Sequence, residues 1–412
     1  MENSSPGLTT PAKVLIAVLA VILVLLTQFF ILPQLGFGSG KEMIIEGTGY
    51  GDIYDFSSGA AFHSNDSRNY YFATREGIRY ISSNNVLQWS DSFIFTNPWM
   101  ATRGDFVAIG EERGGKTIHV YNTSGSFYSI TIDDPILAYW VNETGFLSVI
   151  AQYEGGYGVY VFNEFFTNEP LYLWTEFDNL IQPTYAEVSP DGTYIAIAVL
   201  DLTFNVTSSV QFRYMNQWDA WGTNKGWFAT EYFPEQLITE LRFMNGNRLI
   251  VATTSQIVCF QLGPGHSVSR RIWGIQLENV KSHIDFYNGT HFAYITGERL
   301  PLTTEEGDPI GTVHIYGING QPTGRFELGR RATHLRMGHN SVIIGGDRSF
   351  HAVDFRGNPI WEHTFLFDIR DVRFLDNVNT ILVAGSNQVE VFERRRVREN
   401  DNSGNDEGAI LP

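Results

Sequence analysis

The stretch His351 to Phe365, HAVDFRGNPIWEHTF, decides how this chain is read. Phe350, Ala352 and Asp354 occupy alternate positions, the pattern of a strand, and Gly357 and Trp361 follow across a turn. A single such stretch would be a hairpin; a recurring one is a unit of a repeating architecture. It recurs. TIHVYNTSG carries Ile118, Val120 and Asn122 towards Gly125, TVHIYGING carries Val313 and Ile315 towards Gly320, and Ile78 and Tyr80 lead to Asn85. QIVCFQLGPG keeps the alternation through Ile257 and Cys259 before Pro264, and GVYVFN, VQFRYMN and QVEVFER match as strands.

Each of these strands is preceded by a more continuously apolar one: YYFAT, DFVAIG, FLSVIA, TYIAIAV, RLIVATT, FAYITG, SVIIGG and TILVAGS. Their small residues, Ala73, Gly110, Ala151, Ala198, Ala252, Thr296, Gly345 and Ala384, recur at intervals from 37 (Ala73 to Gly110) to 54 (Ala198 to Ala252). That is the size of a propeller blade. A strand buried on both faces reads as a continuous apolar run, and small side chains in it let neighbouring sheets approach. Outer strands then carry Trp89, Trp174, Trp273 and Trp361, which with Asp354 and Gly357 are expected to be structural residues between blades, Gly357 supplying the turn that aims Trp361. The fold expected is an all-β, eight-bladed propeller of four-stranded blades, with seven blades as the alternative because the fourth unit is long and poorly patterned. The last copy has no outer strand. KEMIIEG, residues 41 to 47, is expected to complete it and close the ring.

Composition agrees with an all-β chain: of 412 residues 14% are aromatic, 40 are glycine and only 18% are charged. The net charge of −17 repels phosphate backbones, so nucleic acid is not expected as a partner. A lone cysteine, Cys259, rules out an internal disulfide and is expected to be a buried, inert thiol.

Val14 to Leu32 is a nineteen-residue apolar run broken only by Thr27 and Gln28. As a helix it would cover about 28 Å, the thickness of a bilayer core, and it is longer than the usual hydrophobic region of a cleaved signal peptide. The organisation expected is a short cytoplasmic leader (1–13), a signal anchor (14–33), a linker with the closing strand (34–48), the propeller (49–395) and a polar tail (396–412). With only Lys13 before the run and Lys41 after it, local charge does not orient it. The short leader favours an exported propeller. Six sequons, at Asn3, Asn65, Asn122, Asn142, Asn205 and Asn288, are compatible with export but common in a chain rich in Asn, Ser and Thr.

AVDFRGNPIWEHT, through Ala352, Asp354, Gly357 and Trp361, resembles the repeat of pyrroloquinoline-quinone enzymes and their non-enzymatic relatives, the PQQ-like repeat. EVSPDGTYIAIA, with Ser189, Pro190, Asp191 and Gly192, resembles the turn that opens a strand in WD40-like and TolB-like propellers. The resemblance extends over roughly residues 41 to 395 and implies architecture rather than chemistry. The plan of one N-terminal span and one propeller also resembles uncharacterised single-pass, membrane-anchored propeller proteins of Gram-positive bacteria.

The chain has no Gly-x-Ser-x-Gly elbow, no His-Glu-x-x-His helix, no phosphate-binding loop and no acidic cluster with calcium-ligand spacing. No catalytic, cofactor-binding or metal-binding residue is therefore assigned. His119, His314 and His351 lie on third strands among apolar neighbours, where a hydrogen-bonded structural role is expected. The arginine run Arg394, Arg395, Arg396 and Arg398 can blunt an exposed edge or meet anionic lipid. MNQWDAWGTNKGWFATEYFP, residues 215 to 234, holds the candidate partner-binding residues Trp218, Trp221 and Trp227. Tryptophans on an irregular insertion can anchor a protein interface or a sugar ring, and can equally be the core of an irregular blade. The acidic loop PLTTEEGDP is read as a solvated insertion.

The function expected is a membrane-tethered, extracytoplasmic protein-binding or assembly scaffold of the cell envelope. Its role would be comparable to that of the propeller lipoprotein of the outer-membrane barrel assembly machinery. The alternative is a quinoprotein-like enzyme or small-ligand sensor that uses the central channel.

Overall fold

The structure, a computed structural model, describes residues 43–53, 61–64, 69–215, 226–263, 269–277, 280–297, 311–329, 332–386 and 388–396. The apolar run 14–32, Trp218 and Trp221, the loop 301–309, Arg398 and the tail beyond it lie outside these residues. The chain divides into two compact units, one of residues 47–393 and one of residues 1–46 with 394–412. In the second, the described residues 43–46 and 394–396 are extended strand. Among the described residues no helix is long and apolar enough to cross a membrane.

Among the described residues, thirty-two strands form eight four-stranded sheets, so the blade count is eight. In blades 1 to 7 the strands follow one another in space as in sequence, each antiparallel to the next. Blade 8 differs. Its order is Met43–Ile53, Gln388–Arg396, Thr380–Ala384, Asp371–Phe374, so the N-terminal strand takes the outer position. This strand runs to Ile53, past the Gly47 at which the sequence pattern ends it; Thr48 Oγ1 donates to the Val391 carbonyl at 2.9 Å. The extension, TGYGDI, lacks apolar alternation and its two glycines read as linker.

The innermost strands are Ala61–Ser64, Pro98–Arg103, Ile136–Val141, Ile181–Val188, Ile238–Met244, Val280–Tyr287, His334–Gly338 and Asp371–Phe374. They pack against one another around an axis, and the last meets the first. The core lies between blades rather than within them. Tyr71, Ile78 and Tyr80 of blade 1 pack with Val107, Ile109 and Tyr121 of blade 2. Phe62, Tyr70 and Phe72 of blade 1 likewise pack with Leu375, Leu382 and Val391 of blade 8, closing the ring. Full burial of each large apolar side chain stabilises by about 1.5–3 kcal/mol, so the closing cluster is a substantial contributor.

Because the strands alternate in direction, connections fall on two faces. First-to-second and third-to-outer connections lie on one, the turn face. Second-to-third connections and those between blades lie on the other, the loop face. Among the described residues, the three most exposed large apolar side chains, Phe204, Leu366 and Ile94, are all on the loop face, at 97%, 94% and 91% exposure.

Candidate functional site: an arginine-lined cavity on the axis

At the turn face the innermost strands end around a cavity of about 530 Å³. Its charged lining residues are Arg103, Arg242, Arg336, Arg373, Glu143 and Asp285, contributed by blades 2, 5, 7, 8, 3 and 6, with His63 of blade 1 beside them. Each innermost strand must bury its flanking apolar residues against the neighbouring blades. The residue between them therefore points to the axis.

Two networks hold the arginines. In the first, Arg336 Nη2 and Arg373 Nε both donate to Asp371 Oδ2, at 3.2 and 3.1 Å. Burial works against an ionised Asp371, yet Arg373 and Arg336 outweigh it and hold the carboxyl below its ordinary range. Arg373 also lies 5.6 Å from the centre of the Phe62 ring, and its Nη1 is 3.1 Å from His63 Nδ1. Burial, and then the Arg373 charge, push His63 down to about 3, so it is a neutral ring accepting from Arg373. Asp285 Oδ2 accepts the Met337 amide at 2.8 Å, and burial raises its carboxyl.

The second network crosses the channel. Arg103 Nη2 donates to the Phe243 carbonyl at 2.8 Å and lies 3.8 Å from Glu187 Oε1, with Arg103 Nε 4.0 Å from Glu143 Oε2. Glu187 accepts the Phe243 amide at 3.1 Å, and burial pushes it up to about 8 despite Arg103. It is therefore largely protonated at neutral pH. Glu240 Oε1 accepts from Arg242 Nη2 and from the Tyr185 hydroxyl, both at 3.0 Å, and the Arg242 guanidinium stands 5.0 Å from the Phe286 ring centre. The arrangement can bind a charged or strongly polar small molecule. Among the described residues no group of three His, Cys, Asp or Glu is placed to hold a metal ion.

Residues 58–393 match DUF5711, a family of unknown function. The chain belongs to the DUF5711 family. No curated protein matches it. Among solved structures it is similar to BamB from Moraxella catarrhalis, at 10% identity over 85% of this chain and 100% of that one, with a TM-score of 0.49. It is also similar to the WD40 domain of SCAP from fission yeast (10% identity, 85% and 98% coverage, TM-score 0.48) and the Neurospora crassa Pan2 WD40 domain (12%, 73% and 89%, 0.46).

The residues singled out by the sequence occupy other places in this DUF5711 chain. Trp89, Trp273 and Trp361 each donate their Nε1–H to a backbone carbonyl of the next blade, Thr123, Ile318 and Val378, at 3.0, 3.0 and 3.1 Å. Trp174 is buried, and the Arg213 guanidinium lies 5.9 Å from its ring centre. Gly357 meets the backbone of blade 6, whereas Asp354 works inside its own turn, accepting from the amides of Arg356 and Asn358. Trp227 starts the outer strand of blade 4, half exposed, with Nε1 3.0 Å from Thr230 Oγ1.

Cys259 is buried and its thiol is pushed up to about 12 by burial. His314 meets Thr296 Oγ1 at 2.9 Å, His351 faces Glu362 at 3.4 Å, and His119 stacks on Phe93. The sequon at Asn142 is closed to modification in the folded chain. Asn142 is buried, its Oδ1 accepts the Thr144 and Phe146 amides, and its Nδ2 donates to Val188 and Ser189.

The cavity residues were absent from the sequence assignment, although a signal for them exists. The segments RFMNG (242–246), DFYNG (285–289), RMGHN (336–340) and RFLDN (373–377) repeat a charge, an apolar residue and a polar turn once in each of blades 5 to 8.

Proposed function

We propose that the chain is a membrane-tethered propeller of the cell envelope whose loop face captures a protein partner. The observation that carries this reading is an exposed apolar sector over blade 4. Phe177 and Leu180 lie before its innermost strand, Leu202, Phe204 and Val206 between its second and third strands, and Leu237 after its outer strand. These connections are stitched together by backbone bonds, Leu202 N–H to Leu180 O at 2.8 Å and Glu235 N–H to Val206 O at 3.1 Å. Contiguous exposed apolar surface rimmed by polar residues is the usual mark of an interaction site. The bilayer-length run Val14 to Leu32 supports the tether.

The test is in-cell photo-cross-linking of the full-length chain, with the reactive group placed at Phe204 and, as a control, at the exposed outer-strand position Ser129. One envelope protein captured from Phe204 but not from Ser129, and lost when Leu202 and Leu180 are both changed to Asp, is the expected result. Equal capture from both positions, or none from either, ends the proposal.

A further inference from the structure

We propose that the axial cavity at the turn face is a binding site for a small organic polyanion, one carrying two or more carboxylate or phosphate groups. The inference is independent of the partner-binding surface, which lies on the opposite face. The chain as a whole carries −17, yet this cavity is lined by four guanidinium groups and two carboxylates. Asp371 and Glu240, the carboxylates that hold Arg336, Arg373 and Arg242 in place, stand behind the lining and do not belong to it. The surface presented to a ligand is therefore net positive, and the charges behind it fix the guanidinium positions in advance.

The two lining carboxylates oppose that field only in part, being two against four guanidinium groups. Asp285 is engaged by the Met337 amide, and Glu143 sits at the rim, its side chain 35% exposed, 4.0 Å from Arg103. The arginines keep capacity to bind. Arg336 and Arg373 share a single carboxylate and retain 32% and 22% of their side-chain surface. Arg242, Arg336 and Arg373 come from blades 5, 7 and 8, so they approach the cavity from different sides. Two or more acidic groups match guanidinium groups distributed around an axis. The cavity volume suits a molecule of metabolite size rather than a peptide or a bare ion.

The full-length protein in detergent is titrated calorimetrically with citrate and separately with inorganic phosphate at fixed ionic strength, with glucose as the uncharged control. Saturable binding of citrate is expected, with phosphate weaker and glucose silent. Arg336→Gln and Arg373→Gln should each weaken citrate by about tenfold or more. Glu143→Gln, which removes a rim charge without touching the core, should strengthen it by about threefold. If either arginine variant fails to fold, Glu143→Gln carries the test, and unchanged affinity there overturns the proposal. So does binding that survives both arginine variants, an absence of saturation with either anion, or phosphate binding tighter than citrate, which would mark a site for a single oxyanion.

Discussion

Gly357 shows how much of the ring depends on single backbone positions. Its φ is +85°, a region where an L side chain costs about 1–2 kcal/mol. A Cβ there would lie 2.2 Å from the Arg325 carbonyl oxygen of blade 6, because the turn is pressed against the neighbouring outer strand. Gly329, with φ +70°, has the same conformation and open space around it. Gly329→Ala should therefore cost only the conformational term, and Gly357→Ala about 1–3 kcal/mol more, since rigid backbone must move. Urea unfolding of both variants reads the difference. Equal losses would show that the blade 6 contact yields freely. This residue was legible from the sequence because a glycine at a fixed distance after an alternating strand signals a turn. The carbonyl that makes it indispensable was not, because Arg325 belongs to another blade.

At the scale of the element, the innermost strands were the least legible part of the fold, and the reason is physical. The third strands bury alternating Val, Ile and Tyr and show a clear period of two. An innermost strand such as Asp371–Phe374 is four residues long, and its apolar residues are interrupted by Arg373, which faces the channel. Its partner His63 is 310 positions away, so the pair exists only once the ring is closed. Blade 4 carries the most informative member of this set.

Glu187 has a folded-state pKa raised by burial to about 8, above the range of an unfolded carboxyl. The folded state therefore holds a proton that the unfolded state has released, and the stability this contributes at low pH is lost as pH rises towards 8. His63, pushed down to about 3, acts in the opposite sense, but only below its ordinary value of 6.5. Between pH 6.5 and 8 the Glu187 contribution stands apart from it. Wild type should lose up to about 2 kcal/mol of unfolding free energy across that window. Glu187→Gln keeps an acceptor for the Phe243 amide and should lose less. Parallel denaturation curves at the two pH values compare the slopes. Identical slopes would mean that Glu187 ionises normally beside Arg103.

For the whole molecule, closure is achieved at two radii by different means. Near the axis, blade 8 meets blade 1 through Arg373, which contacts His63 and the Phe62 ring, and through the cluster of Phe62, Tyr70 and Phe72 with Leu375, Leu382 and Val391. At the rim, the strand Met43–Ile53 covers the edge that Gln388–Arg396 would otherwise expose. The axial contacts lie wholly within residues 61–393, so, relative to a chain beginning at residue 41, one beginning at residue 54 keeps them and loses the covering strand. Unpaired N–H and C=O groups along that edge would then be available to a second copy. Such a truncated chain should unfold earlier, by at least about 3 kcal/mol given roughly 1 kcal/mol for each lost ladder bond. It should also associate as concentration rises, which sedimentation velocity detects. A truncated chain that stays monomeric with an unchanged unfolding midpoint would place closure entirely at the axis. The outer strand would then be a cover for the edge rather than the fastening of the ring.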